Sequence, residues 1–399
     1  MTAKIEFFPV GNGDMTLITL ESGRTILIDV NIRKAADDED DEDAVDVAQL
    51  LRDRIERDAE GRLYVDAFLL SHPDEDHCRG LTRHFHLGPP ADWNKKGDLI
   101  LIREMWSSPI IFRRKKDVDG KLCDDADAWW GEARRRVNLY RSAQQKSSIK
   151  DGDRIQVLGE DKDGKTDDLT DILVEADTQI TRIGGDADGT FYGWLLAPHL
   201  VSKEEAETLS GKNHSSTVVR FGIQGGNQAD ACQFLTGGDA AVENWERVWA
   251  RNKNRKSRLS YHILLAPHHC SWHSLSYDSW SDKGEDAEVS ADARSALSQI
   301  VDGASIVASS NEIKDDENDP PCIRAKREYE DISSTANGTF LCTTEECGTG
   351  VLLFEIDADG PTRGGKKKRG SGGGGSGLVV GGGAGGPREV DKRGGGRYA

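Results

Sequence analysis

The stretch AFLLSHPDEDHCRGL, residues 67–81, restricts how this chain can fold more than any other: an apolar run ends in two histidines and three carboxylates within six positions. A short, wholly apolar run before a turn reads as a strand covered on both faces. The charged residues then fall at its carboxyl end, the edge of an open α/β sheet where binding sites form. Two later runs repeat the arrangement. CQFLTGGDA, residues 232–240, closes on Asp239, and YHILLAPHHCSWHS, residues 261–274, closes on His268, His269 and His273.

These residue types suit a cation. His72, Asp74, Asp76 and His77 form H-x-D-x-D-H, and alternation in a loop leaving a strand lets their side chains converge on a small volume. Imidazole nitrogen with carboxylate oxygen fits zinc, manganese or iron, and the carboxylate-rich balance leans towards the harder manganese. Taken alone, an Asp after Gly-Gly is a common helix N-cap, and a double His after Pro is a common loop. Alongside the first cluster they supply the ligands a metal site would still lack.

The rest of the chain is read around those motifs. Residues 4–31 give two or three short strands with turns at Gly11, Gly13 and ESGR; an acidic loop (DDEDDED, 37–43) leads into a helix with Val45, Ala48, Leu51 and Ile55 on one face. Later strands at DRIQVLG, GWLLAPHL, SSTVVRFGI, ASIVASSN and GTGVLLFEI, with helices at ADARSALSQIV and IRAKREYEDI, make a second strand-rich half. Residues 95–150 carry fourteen Lys/Arg against eight Asp/Glu, interleaved with Trp106, Trp129, Trp130 and Tyr140. We read them as a basic, largely helical insertion at about 90–150. Its arginines (Arg113, Arg114, Arg134, Arg135, Arg136) are candidate nucleic-acid contacts, against the plainer reading of a salt-bridged helical pair with tryptophans in its core.

Net charge is −18 over 399 residues, a balance that argues against broad adhesion to nucleic acid. Residues 361–399 carry nine Lys/Arg and two Asp/Glu, and sixteen of the last 36 residues are glycine, so this tail is expected to be disordered. Its GSGGGGSG resembles a synthetic linker, and its KKKRGSG resembles an RNA-contacting segment. The seven scattered cysteines and the lack of a charged-then-apolar leader suggest a reduced cytoplasmic protein, and no stretch approaches a membrane span. Cys322, Cys342 and Cys347 have no fourth ligand beside them, VGNGD is no phosphate loop, and His84 and His86 follow the charged cluster on a helix or at its exit, with substrate contact the lesser reading.

In order and style, VGNGDMTLI, ILIDVN, LLSHPDEDHCRGL, NHSSTVVRF, FLTGGDA and LLAPHHCSWHS resemble the metallo-β-lactamase superfamily, and within it the hydrolase domain of the DNA-uptake channel protein ComEC and its soluble relatives. The resemblance implies an αβ/βα sandwich over residues 1–360, with 361–399 as the tail. It implies two divalent metal ions, zinc or manganese: His72 and Asp74 at one position, Asp76 and His77 at the other, Asp239 bridging, and His268 as the late ligand with His269 its competitor. Asp76 or Asp239 would take the proton. Asp29, Asn213, Ser215 or Ser216, His269 and His273 would sit behind the ligands or meet substrate. Cys270 stands where the family has glycine, Gly238 is inserted before Asp239, and Asp319 stands where such chains have a histidine before proline. Only His199 and His214 are candidates for a middle metal histidine, so a single bound metal is the alternative.

The expected activity is metal-dependent hydrolysis of a phosphodiester, with DNA or RNA as substrate. Hydrolysis of a small phosphoester, thioester or cyclic nucleotide is the second expectation. A non-catalytic subunit of a defence or DNA-processing complex, with a protein partner, is the third.

Overall fold

Short β-branched and aliphatic segments between glycine turns assemble into two large mixed sheets. The computed structural model describes residues 1–34, 45–113, 121–200, 213 and 216–364. The strands run in chain order as β1 (Ala3–Phe7), β2 (Thr16–Thr19), β3 (Thr25–Ile28), β4 (Tyr64–Leu69), β5 (Ile100–Ser107), β6 (Arg154–Leu158) and β7 (Leu173–Val174). They continue as β8 (Gln179–Ile180), β9 (Phe191–Ala197), β10 (Val218–Gly225), β11 (Gln228–Thr236), β12 (Tyr261–Leu265), β13 (Ile300–Ala308), β14 (Thr339–Cys342), β15 (Leu352–Asp357) and β16 (Gly360–Arg363).

The first sheet has the order β16-β15-β1-β2-β3-β4-β5-β6-β7, with the two-residue strand Phe85–His86 beside β5. Neighbours are antiparallel up to β3 and parallel from β3 onward. The second sheet, β8-β9-β10-β11-β12-β13-β14, repeats that style, antiparallel up to β11 and parallel beyond it.

Successive side chains on a strand point to opposite faces, and the core divides accordingly. Ile26, Ile28, Ala67, Leu69 and Trp106 of the first sheet share one buried cluster with Phe221, Phe234, Ile263, Leu265 and Val307 of the second. Phe7 meets Phe234 edge-on at 5.8 Å across that interface. The alternate residues Leu27, Phe68 and Met105 face outward, beneath α1 (Val47–Arg52) and α2 (Asp124–Ser142). On the far side, Leu235, Leu264 and Ile306 are covered by α3 (Val242–Asn252), α4 (Ala291–Leu297) and α5 (Ile323–Ser334). The layers are therefore helix, sheet, sheet, helix.

Two expectations need correction. The basic stretch at 90–150 is no addition to the fold, because its residues 100–107 form β5, an interior strand paired in parallel with β4 and β6. Composition hid that strand: Arg103 and Glu104 interrupt its apolar run, yet Arg103 pairs with Asp66, and Glu104 accepts from Trp106, Gln156 and Gly184. Pro361–Arg363, read as tail, belong to the edge strand β16. Residues 365–399 and the acidic run 37–43 lie outside the described residues. Among the described residues no helix is long and apolar enough to cross a membrane.

Candidate metal centre

The centre is built from turns that leave both sheets. After β3 the chain turns at Asp29, a buried residue with φ 54° whose N–H reaches the Leu69 carbonyl at 3.0 Å. Its carboxylate accepts from the Ser71 N–H at 2.7 Å and from the Ser71 hydroxyl, and lies 2.9 Å from His77 Nδ1. Asp29 thus grips the segment that follows β4. That segment includes the single helical turn Glu75–Cys78, which carries Asp76 and His77.

The second sheet supplies the opposing groups. β11 leads through Gly237 and Gly238 to Asp239, whose Oδ1 is 2.8 Å from His77 Nε2. Gly238 explains the extra residue: its φ is +48°, and a Cβ there would come within 2.3 Å of the Ser71 hydroxyl. The Gly238 carbonyl accepts the His268 N–H at 2.9 Å, joining the turns after β11 and β12. His268, His269 and Cys270 follow one another with φ of 51°, 52° and 68°. Each left-handed non-glycine residue costs about 1–2 kcal/mol. The backbone at Cys270 keeps the conformation for which glycine is suited.

Two groups of potential ligands share one residue. Asp76, His77, Asp239 and His269 place a donor atom each within 4.8 Å of one another, and so do His72, Asp74 and Asp239. His269 Nε2 is 3.3 Å from Asp76 and 3.4 Å from Asp239, while His72 Nε2 is 3.3 Å from Asp74. His268 stands at the margin, with Nε2 3.5 Å from the other Asp239 oxygen. Behind the first group lie Asp29, on His77, and Asp14, whose Oδ1 is 3.3 Å from His269 Nδ1. Behind the second, the Ser216 hydroxyl is 3.2 Å from His72 Nδ1.

Burial and charge oppose each other throughout. Burial alone would lower the pKa of His77, but Asp239 and Asp29 hold it well above the ordinary value. His269 is raised to about 10, against its burial, by Asp239 and Asp14. Burial would raise Asp239, yet the charges of His268, His77 and His269 keep it well below the usual carboxylate range. Asp76 falls to about 2 despite its burial, through His269 and His77. Burial raises Asp29.

The donor set fits divalent cations. His72 Nε2 and both ring nitrogens of His269 are buried without a hydrogen bond. Four carboxyls, those of Asp14, Asp29, Asp76 and Asp239, crowd around two imidazoles drawn towards their cationic form, and Asp74 adds a fifth beside His72. Buried charge of one sign requires a counter-charge. Mixed imidazole and carboxylate ligation suits zinc, manganese or iron.

Of the residues singled out from sequence, His72, Asp74, Asp76, His77, Asp239 and His269 come together, with Asp29 behind them. His273 is exposed, 3.8 Å from Asp319, and is in neither ligand group. Asp319 accepts the Trp272 N–H and so closes a loop. Asn213 presents its carbonyl to Ser216 and Ala241. Ser215, His214 and Arg114 lie outside the described residues, and Ser216 is the hydroxyl at His72. His199 pairs with Asp177 at 3.1 Å, apart from the centre. Asp14 was missed; its only signal is the VGNGD turn, where a Cβ on Gly13 would meet Asn31 at 2.0 Å.

Three of the candidate arginines have partners within the fold. Arg136 is 1% exposed and donates to Glu132 and to the Ile102 and Arg154 carbonyls. Arg135 is paired with Glu132 and Asp153, and Arg113 with Asp161. Arg134 is exposed and lies 4.8 Å over the Trp130 ring. An open cleft of 1370 Å³ does reach the centre, lined by Asp74, Asp76, Asp239 and His268, with Arg33, Lys34 and Lys121 also on its wall. None of the four described arginines of the patch lines it.

Fold and centre define an α/β protein with a buried histidine–carboxylate site able to hold cations. No protein-family model matches the sequence, and no curated protein matches it. Among solved structures, the chain is similar to an isothiocyanate hydrolase from Delia radicum gut bacteria, at 12% identity and a TM-score of 0.37, over 89% of this chain and 100% of that one. At that distance the chain's own geometry has to carry the reading.

Proposed function

We propose that the chain is a metal-dependent hydrolase of the metallo-β-lactamase superfamily, cleaving phosphodiesters of DNA or RNA with two divalent ions, zinc or manganese. The observation that carries this reading is Asp239, common to two imidazole–carboxylate groups at the floor of an open cleft. The ordered strand-end motifs that resemble the ComEC-like hydrolases support it. Divalent ions in such a site would acidify water and neutralise negative charge on the phosphate oxygens. Asp76, with a third of its side chain exposed on the cleft wall, is the carboxylate we assign to accept the proton. Asp29 and Asp14 hold His77 and His269 in orientation.

A small phosphoester, thioester or cyclic nucleotide is the second reading. The internal pairing of Arg113, Arg135 and Arg136 favours it, because a polymer loses the basic track expected for it. Seven free thiols suit work in the cytoplasm.

Elemental mass spectrometry of wild type and of an Asp76→Ala/His77→Ala variant, with manganese-supplemented cleavage of single- and double-stranded DNA and RNA, tests the proposal. Metal and cleavage that vanish together in the variant are expected. Metal without polymer cleavage favours the small substrate. Absence of metal would overturn the hydrolase and leave a non-catalytic subunit with a protein partner.

A further inference from the structure

Two sulfurs meet beside the centre. Cys78 Sγ and Cys123 Sγ are 3.6 Å apart, although 45 residues separate them in sequence. Cys78 ends the helical turn that carries Asp76 and His77, and its thiol donates to the Asp74 carbonyl at 3.2 Å. Cys123 precedes the nineteen-residue helix α2 at its N-cap position. The two elements are bolted together around the pair: Asp125, in the first turn of α2, accepts from the Gly80 and Thr82 N–H groups, both at 2.9 Å.

Access differs between the two thiols. Cys78 is fully buried, whereas Cys123 is half-buried and lines the cleft beside Lys121. The start of a long helix favours a thiolate, and the neighbouring Cys78 sulfur draws the Cys123 thiol down to about 7. The cleft wall carries both signs, with Arg33, Lys34 and Lys121 near Glu75, Asp124 and Asp125, so a reagent bearing both ammonium and carboxylate groups finds partners there.

We propose that Cys78 and Cys123 form a redox pair, oxidised by a low-molecular-weight disulfide that carries both charges, such as oxidised glutathione, and that the bond between them loosens the metal centre. The Cys123 thiolate attacks one sulfur of the reagent, breaking its S–S bond and releasing one glutathione thiolate. The Cys78 sulfur then attacks Cys123 Sγ in the mixed disulfide and expels the second glutathione as a thiolate, which takes up the proton that Cys78 gives up. Two protein thiols give up two electrons, and the reagent disulfide accepts them. Bond formation closes the sulfur gap by roughly 1.5 Å. Cys78 leaves the Asp74 carbonyl, and the turn bearing Asp74, Asp76 and His77 moves with it.

Disulfide formation depends only on the cysteines; its effect on the centre rests on the metal reading above. The full chain is equilibrated in glutathione redox buffers, mapped by non-reducing peptide mass spectrometry, and assayed for manganese and zinc binding in each state. A linked Cys78–Cys123 peptide is expected, with metal affinity at least about tenfold weaker in the oxidised form. Cys123→Ser should bind metal as reduced wild type does and ignore the buffer. No linked peptide in wild type would overturn the pair, whether or not the variant folds. Equal metal affinity in both states would overturn the regulation. Reduced wild type that binds no metal would overturn the metal reading and its regulation, while a linked peptide would still establish the pair.

Discussion

The two ligand groups that share Asp239 are supported differently. In the group of Asp76, His77 and His269, each imidazole has a carboxylate behind it, Asp29 at 2.9 Å and Asp14 at 3.3 Å. In the group of His72 and Asp74, the imidazole is backed by a neutral hydroxyl, Ser216 at 3.2 Å. A carboxylate behind a histidine fixes its tautomer and raises its basicity more than a hydroxyl can. The first group should therefore hold an ion tightly and the second loosely, so occupancy by one metal or two becomes a matter of metal concentration.

Removing the shared residue should erase the contrast altogether. Asp239→Ala takes a ligand from both groups and uncouples His77 from its 2.8 Å partner; bound metal, read by elemental mass spectrometry, should fall close to zero. Acid comes next. A cation must displace the protons that His77 and His269 hold in the metal-free chain, so affinity for the first ion should rise with pH above the ordinary imidazole range, the His269 proton being lost at about 10. The slope for two displaced protons is at most about a hundredfold per pH unit. The sign for stability is the reverse in metal-free protein: these raised values stabilise fully below about pH 6.5 and the contribution is lost as pH climbs through the folded-state value. Melting scans with and without metal separate the two trends.

Smaller effects sharpen the comparison. Asp29→Asn should weaken the tight ion by about 10–100-fold and the loose one by less, through the loosened Ser71 beside His72, as two-step calorimetric titration would show. Ser216→Ala should weaken the loose ion by less than about tenfold and spare the tight one. Equal losses from both substitutions would abolish the proposed asymmetry.

The ligand types were legible because they sit at the ends of apolar runs, and a strand end is readable from composition alone. Which of His268 and His269 turns inward was not legible, since that depends on three successive left-handed residues. Asp14 was hidden for a related reason: its partner His269 lies 255 positions away in sequence, and only the docking of the β1–β2 loop against the β12 turn joins them. Arg136 misled in the other direction. Its charge is plain in RRR, but the carbonyls of Ile102 and Arg154 that bury it belong to β5 and β6. The two-sheet architecture was readable from the recurrence of strand-like runs, whereas β5 was not, because its polar residues are satisfied by neighbours the local sequence does not display.

The shared position of Asp239 also bears on how the molecule comes apart. His72 to His77 depart from one sheet, and Asp239 with His269 from the other, so the ligands meet only after both sheets have docked. An ion seated there favours the finished structure over any state in which the sheets have separated. Contacts made after the folding barrier slow unfolding without hastening folding. Metal removal should then shorten the lifetime of the folded chain under denaturant while its refolding rate stays the same, which makes the centre a latch between the two sheets.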